Sequence, residues 1–296
     1  MMGRSQRVVV GVDGSSNSLG ATRWAAAVAS RMRVPLHLQC GVERPLCVDR
    51  SFDLAPDFDW GEHLCAASRT IVDNAKNIAL EAYPNITVST EVTGGFIARA
   101  LLESSDHASM LVVGQSGLAS VGSALVGSTT QLVVDQAGCP VVVWKGDRVS
   151  GPGNAPVVVG VDGSELSSRA VEKAFRFAAM FDAPLIAVHS WSSALTAGIS
   201  KFRPRFDQGG TEAAEDAVLA EGVAGSSEEF PEVSVQRVLR EGSPTEELLA
   251  VSESSQLIVV GSRGHTGLFG AIAGSTSRNL LYHANVPVMI CRPPRH

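Results

Sequence analysis

Val9-Val10-Gly11-Val12-Asp13-Gly14-Ser15, near the start of the chain, returns as Val158-Val159-Gly160-Val161-Asp162-Gly163-Ser164, an offset of 149 residues. Further along, Gly114, Gly117 and Gly127 return as Gly261, Gly264 and Gly274, an offset of 147. Self-similarity of this kind means one structural unit written twice, with two residues lost from the second copy between the two motifs. Residues 1–146 and 156–296 are therefore expected to be two copies of one domain, joined by a linker at 147–155 that is polar and rich in turn formers.

Working outward from the first motif, the stretches Arg7 to Val12, Pro35 to Val42, Ile86 to Val92, Met110 to Gly114 and Pro140 to Trp144 are short, valine-rich and bounded by Gly, Pro or polar residues. They predict strands buried on both faces. Ser16 to Met32, Gly61 to Ala82, Phe96 to His107 and Ser128 to Gln136 predict helices, each with an apolar face. The second copy repeats the series, with strands near Pro156 to Val161, Pro184 to His189, Val233 to Leu239, Leu257 to Gly261 and Pro287 to Cys291. Strands that alternate with helices imply α/β architecture: two tandem, doubly wound, five-stranded parallel-sheet domains, Rossmann-like in layout. Such folds bind ligands beyond the carboxyl ends of the strands, where strand order reverses.

Composition narrows the function. A formal charge of -6 and a pI near 5.7 argue against a protein that coats nucleic acid or an anionic membrane, since both need a concentrated basic face. Ala108 to Val134 carries no charge, but its Gly, Ser, Thr and Gln content is too polar for hydrocarbon. The N-terminus runs from a short polar lead into a strand pattern without a signal-peptide profile, which predicts a cytoplasmic protein. Five cysteines without a CxxC pair predict reduced thiols and neither a zinc site nor a disulfide framework.

After its fourth strand the first copy reads Gly114-Gln115-Ser116-Gly117-Leu118-Ala119-Ser120, and then Gly127-Ser128-Thr129 where the next helix opens. The second copy reads Gly261-Ser262-Arg263-Gly264-His265-Thr266-Gly267, followed by Gly274-Ser275-Thr276-Ser277 at the same G-x2-G-x9-G-S spacing. Glycines at a strand end let backbone amides approach an anion, and a Gly-Ser-Thr helix start adds orphan N–H groups and hydroxyls at the positive end of the helix dipole. This is phosphate-binding chemistry. The chain has no G-x4-G-K-[ST], which excludes a P-loop NTPase, and no G-x-G-x-x-G after its first strand, which argues against a dinucleotide fold. Asp13 and Asp162 end the first strand of each copy. A carboxylate there accepts from ribose hydroxyls, holds a Mg ion bound to the nucleotide, or caps the following helix, and the sequence leaves the three open.

Together with the closing Cys139-Pro140-Val141-Val142 and Val286-Pro287-Val288-Met289, these motifs give the chain a resemblance to tandem-domain universal stress proteins of the ATP-binding branch. The resemblance implies ATP as ligand, one site per domain. It places the phosphates and ribose among residues 114–120 with Ser128 and Thr129, and among residues 261–267 with Ser275 to Ser277. It sets Gly11, Val12, Asp13, Gly160, Val161 and Asp162 beside the nucleoside. It also implies a pseudo-dimer of the two copies, a homodimer of chains, and a nucleotide-dependent stress-response regulator acting on a protein partner. A slow ATPase or nucleotidyl-transferring enzyme on the same fold is the alternative, and no catalytic residue is assigned.

Two further expectations concern differences between the copies. Cys40-Gly41-Val42 aligns with His189-Ser190-Trp191, so the nucleoside pockets differ. No Lys or Arg lies between Arg99 and Lys145, whereas Arg263 and Arg278 flank the second loop, so the second site is expected to bind ATP more tightly. The acidic stretch Arg44 to Trp60, with Asp49, Asp53, Asp57 and Asp59, is expected to be a solvated loop or a lid, with a carboxylate metal site as the alternative.

Overall fold

The computed structural model of the chain describes residues 6–42, 60–115, 126–145, 151–191, 208–262 and 274–293. It divides into two compact units, Met1–Gly151 with Pro294–His296, and Pro152–Pro293. The first unit runs β1 (Val8–Gly11), α1 (Ser16–Met32), β2 (Leu36–Val42), α2 (Trp60–Ala82), β3 (Val88–Gly94), α3 (Ile97–Ser105), β4 (Met110–Gly114), α4 (Ser128–Gln136) and β5 (Val141–Trp144). The second runs β6 (Val157–Gly160), α5 (Glu165–Met180), β7 (Leu185–Trp191), α6 (Gln208–Glu229), β8 (Val235–Glu241), α7 (Pro244–Ser252), β9 (Leu257–Gly261), α8 (Ser275–His283) and β10 (Val288–Cys291).

Within the first unit the strand order is β3-β2-β1-β4-β5, and within the second β8-β7-β6-β9-β10. Every pair inside a unit is parallel. Helices α1 and α2 pack together over one face of the first sheet and α3 and α4 over the other; α5 with α6, and α7 with α8, repeat this in the second unit. The central strands are consequently buried throughout: Val8, Val9 and Val10 are fully buried, as are Val157, Val158 and Val159. Branched side chains on both faces of an interior strand are what a sheet covered on both sides demands.

Each first helix begins the same way. Ser15 caps α1, its Oγ accepting from the Ser18 amide at 3.2 Å, and Ser164 caps α5 by accepting from the Ser167 amide at 3.2 Å. Just before them, Gly14 and Gly163 hold φ of +83° and +75°, a left-handed conformation that side-chain-bearing residues rarely adopt. In the second unit, Gln256 at the foot of β9 donates to the carbonyls of Gly153 and Ala155 and accepts from the Gly153 amide at 2.8 Å. That side chain anchors the chain as it enters β6.

Candidate nucleotide site

In both units strand order reverses beside the first strand, between β1 and β4 and between β6 and β9. Adjacent crossovers leave to opposite faces there, and the strand ends open a crevice. Gly11, Val12 and Asp13 stand at one lip, with Gly114 and Gln115 at the other. In the second unit the lips are Gly160, Val161 and Asp162, and Gly261 and Ser262.

The two aspartates have a structural task. Asp13 Oδ1 accepts from the Ser15 amide at 3.0 Å and from Ser15 Oγ at 2.6 Å, while the Asp13 amide donates to Ser18 Oγ at 3.3 Å. Asp162 Oδ1 likewise accepts from the Ser164 amide at 3.0 Å, and its own amide donates to Ser167 Oγ at 3.0 Å. The cap of the following helix is thus the serine, and the aspartate builds the turn that presents it.

Packing accounts for several of the glycines at the lips. A Cβ on Gly114 would come within 2.9 Å of Asn17 Cβ, and one on Gly261 within 3.1 Å of the Leu166 backbone, so α1 and α5 abut the strands there. Gly11 and Gly160 face Leu101 and Leu248, at 3.0 Å and 3.4 Å from their would-be Cβ atoms.

The loop ends are clamped, and the same bonds do it in both units. The Gln115 amide donates to the Trp144 carbonyl at 3.0 Å, and the Gln115 carbonyl accepts from the Gly127 amide at 2.9 Å. In the second unit Ser262 donates to the Cys291 carbonyl at 2.8 Å and accepts from the Gly274 amide at 2.6 Å. Thr130 Oγ1 donates to the Gly114 carbonyl at 2.8 Å, while its counterpart Ser277 donates to the Ser262 and Gly274 carbonyls at 3.3 and 3.0 Å. The N-terminus of α4, and of α8, is thereby fixed at the strand end. Ser277, grouped by sequence with the phosphate side, is turned inward as part of this clamp and is buried. Ser128 and Ser275 remain exposed and Thr129 and Thr276 half-buried, with no acidic residue in either first turn. Ser116, Gly117, Leu118, Ala119 and Ser120, with Arg263, Gly264, His265, Thr266 and Gly267, lie outside the described residues, as does the acidic stretch 44–59.

Beyond the second strand's midpoint the copies differ, with Cys40 of β2 aligned with His189 of β7. His189 is buried, its Nδ1 donating to the Val161 carbonyl at 2.6 Å and its Nε2 held by Glu215 of α6 at 2.8 Å. The offset of 147 sets Ser68 of α2 opposite Glu215. The first unit therefore has a buried thiol and a buried hydroxyl where the second has an imidazole–carboxylate pair.

A polar network on β2 and β3 escaped the sequence reading. His37 Nδ1 meets Ser89 Oγ at 2.8 Å and Nε2 meets Glu91 at 3.1 Å, while Gln39 Nε2 donates to Glu91 at 3.0 Å. Burial, with Arg7 adding, pushes the His37 imidazole below its usual range, while the hydrogen bond from Gln39 leads in holding the Glu91 carboxyl low. The second unit has Ile186, Val188, Gln236 and Val238 at these positions. No sequence signal pairs the first unit's set, because the partners lie 52 and 54 residues apart.

The remaining chemistry is quiet. Cys40, Cys65, Cys139 and Cys291 are in no disulfide, and burial pushes Cys139 and Cys291 up to about 12, far from thiolate reactivity at neutral pH. Among the described residues no group of three or more His, Cys, Asp or Glu is placed to hold a metal ion, and no helix is long and apolar enough to cross a membrane.

Lys145, one residue beyond β5, is 5% exposed, and burial lowers its ammonium from 10.5 to about 8. Between those values the unfolded chain binds a proton that the folded chain does not, so stability rises with pH across that window. Below about 8 both states are charged and the burial penalty is carried in full. Denaturant unfolding at pH 8 and pH 10 should show wild type gaining on Lys145→Met by about 2 kcal/mol, the slope approaching ~1.4 kcal/mol per pH unit in the middle of the window. Parallel pH profiles for the two proteins would contradict the assignment.

The chain matches the family model described as the universal stress protein family twice, over residues 4–145 and 154–292. It is 36% identical over 290 residues to a universal stress protein of Mycobacterium tuberculosis strain H37Rv, covering 96% of each chain. It is 33% identical over 297 residues to one from Mycolicibacterium smegmatis, covering 97% of each. Among solved structures, a universal stress protein from Archaeoglobus fulgidus superposes with a TM-score of 0.70 at 20% identity, over 98% of this chain and 97% of that one, a likeness of fold. Two family matches in tandem, set on two units with the same switch-point geometry, establish that the chain belongs to the universal stress protein family.

Proposed function

We propose that each unit binds one ATP, with Mg, in the crevice at its switch point, and that occupancy regulates a stress response through a protein partner in the cytoplasm. In this reading the chain works as a homodimer and catalysis is not its task. The observation that carries it is the clamp repeated in both units: a glycine-rich loop closed on itself by Gly127 to Gln115, and by Gly274 to Ser262, at the start of a helix whose first turn has no acidic residue. Such a helix start, with exposed Ser128 and Ser275 hydroxyls, has donors for phosphate oxygens and no acidic side chain in its own first turn. Residues 114–120 with Gly127, Ser128 and Thr129 would surround the phosphates in the first unit. In the second the set is residues 261–267 with Gly274, Ser275 and Thr276, while Ser277 supports it from behind. Gly11, Val12, Asp13, Gly160, Val161 and Asp162 form the nucleoside lip.

Bound ATP would supply a polyanion that ties the loop to the helix start. The chain's own residues set the geometry: Asp13 and Asp162 hold their turns, and the clamp keeps the loop ends together. Mass spectrometry of small molecules released by denaturing the purified chain tests the binding class. Adenine nucleotide at up to two per chain is the expected result; a folded chain that carries none and takes up none on incubation with ATP would contradict it.

A further inference from the structure

We propose that Ser89 is a modification site: an activated hydroxyl that takes an acyl group from an activated ester, with His37 as its base and Glu91 orienting the base. The site lies toward the amino ends of β2 and β3, away from the crevice, and does not rest on the nucleotide reading.

Strand register assembles the group. His37 pairs with Ser89 and Gln39 with Glu91, and alternate residues share a face, so all four side chains stand on one side of the sheet. It is the side on which Ile97 of α3 meets Gly41, two positions beyond Gln39. Ser89 and Glu91 are exposed, whereas His37 and Gln39 beside them are 6% and 2% exposed. Glu91 Oε2 accepts from Gln39 Nε2 at 3.0 Å and from His37 Nε2 at 3.1 Å. A carboxylate only accepts, so the imidazole proton sits on Nε2. Burial keeps His37 neutral by lowering it from 6.5, which leaves Nδ1 as an acceptor. The Ser89 hydroxyl therefore donates to Nδ1 at 2.8 Å, in preference to the Leu36 carbonyl at 3.5 Å. Nucleophile, base and orienting carboxylate in this order activate a serine, here with the two ring nitrogens exchanged relative to serine proteases.

The fold does not require this network. The second unit builds the same strands with Ile186, Val188, Gln236 and Val238 at these positions. Well-packed apolar residues are commonly as stabilising as a buried polar group of this kind. Gln39 Oε1 is moreover buried with no hydrogen-bond partner among the described residues, a cost set against the grip of Nε2 on Glu91. Backbone donors are also at hand. Strand β3 lies at the edge of its sheet, and the Thr87 carbonyl accepts from the Leu36 amide at 2.8 Å. Thr87, Ser89 and Glu91 thus turn their backbone groups to β2, and Val88 and Thr90 turn theirs outward. The Thr90 amide, next after Ser89, stands at the sheet edge, where it can donate to a developing oxyanion.

In the step, the Ser89 Oγ–C bond forms as the C–O bond of the ester breaks. The Oγ proton passes to His37 Nδ1 and from there to the departing alkoxide, leaving O-acyl-Ser89 and an alcohol.

Incubating the full chain with p-nitrophenyl acetate, and reading p-nitrophenolate release and peptide masses, tests this. Wild type should release about one equivalent per chain in a burst and carry the acetyl group on Ser89. Ser89 is exposed, so Ser89→Ala keeps the fold and should lose the burst. His37→Gln should slow the Ser89-dependent release roughly a hundredfold or more, and Glu91→Gln should slow it in the same direction. Arg7 and Glu91 are the charged groups that act on His37, and the Ser89-dependent rate should fall only below pH 6.5, as the imidazole takes up a proton. Release equal in wild type and Ser89→Ala overturns the proposal, as does a Ser89-dependent rate unchanged in His37→Gln. Glu91→Gln, a change at an exposed residue, carries that second arm if His37→Gln does not fold.

Discussion

Gly20→Ala is expected to destabilise the first unit by about 2 kcal/mol or more, although alanine is the better helix former by ~1 kcal/mol. Gly20 lies in α1, and a Cβ there would stand 2.6 Å from Cζ2 and Cζ3 of Trp144 and nearer still to Cη2. Trp144 is 5% exposed on β5, so its ring has no free space to retreat into. Overpacking of this kind typically costs about 1–3 kcal/mol, and a rigid indole pressed against a helix backbone belongs at the upper end. The second unit has resolved the same contact differently, with Arg169 at the Gly20 position and Cys291 at that of Trp144. Trp144→Val in the Gly20→Ala background should therefore recover part of the loss. The effect should reach the site as well, because the Trp144 carbonyl holds the Gln115 amide at the base of the loop. Denaturant unfolding followed by tryptophan fluorescence measures it; a Gly20→Ala chain as stable as wild type would show that the indole yields.

The fold was legible because its signal is local and repeated. Alternating valine-rich strands and amphipathic helices need no long-range information, and the bounds of α1 and α4 fall where the sequence put them, at Ser16–Met32 and Ser128–Gln136. The helix predicted over Phe96 to His107 is shorter, Ile97–Ser105, since Phe96 is its N-cap and 83% exposed. The site was legible only as far as motifs run along the chain. Asp13 and Asp162 could be marked, but the neighbouring serines that take the capping role become evident only from the turn geometry. The glycines at 11, 114, 160 and 261 were marked for a ligand, while the packing reason for them, side chains and backbone of α1, α3, α5 and α7 where a Cβ would stand, is not written in the sequence. Lys145 stood in the sequence only as the end of a stretch without cations, and strand register sets it beside the loop clamp. The pairing of His189 with Glu215 depends on how α6 docks against β7, which periodicity does not encode.

Nucleotide binding at the two glycine loops is the central claim, and Gly117→Glu with Gly264→Glu should abolish it. Both positions lie outside the described residues, and their importance follows from the repeated G-x2-G-x9-G-S spacing and from the clamp that closes each loop. A glutamate there inserts a side chain where a backbone amide must approach phosphate, and adds a negative charge against a polyanion. A loss of about a hundredfold or more in affinity, ~2.7 kcal/mol per site, is the expected scale. The measurement is a calorimetric titration of nucleotide-free wild type, each single variant and the folded double variant with ATP. The account predicts two sites in wild type, one in each single variant and none in the double; unchanged ATP affinity in the folded double variant would contradict it.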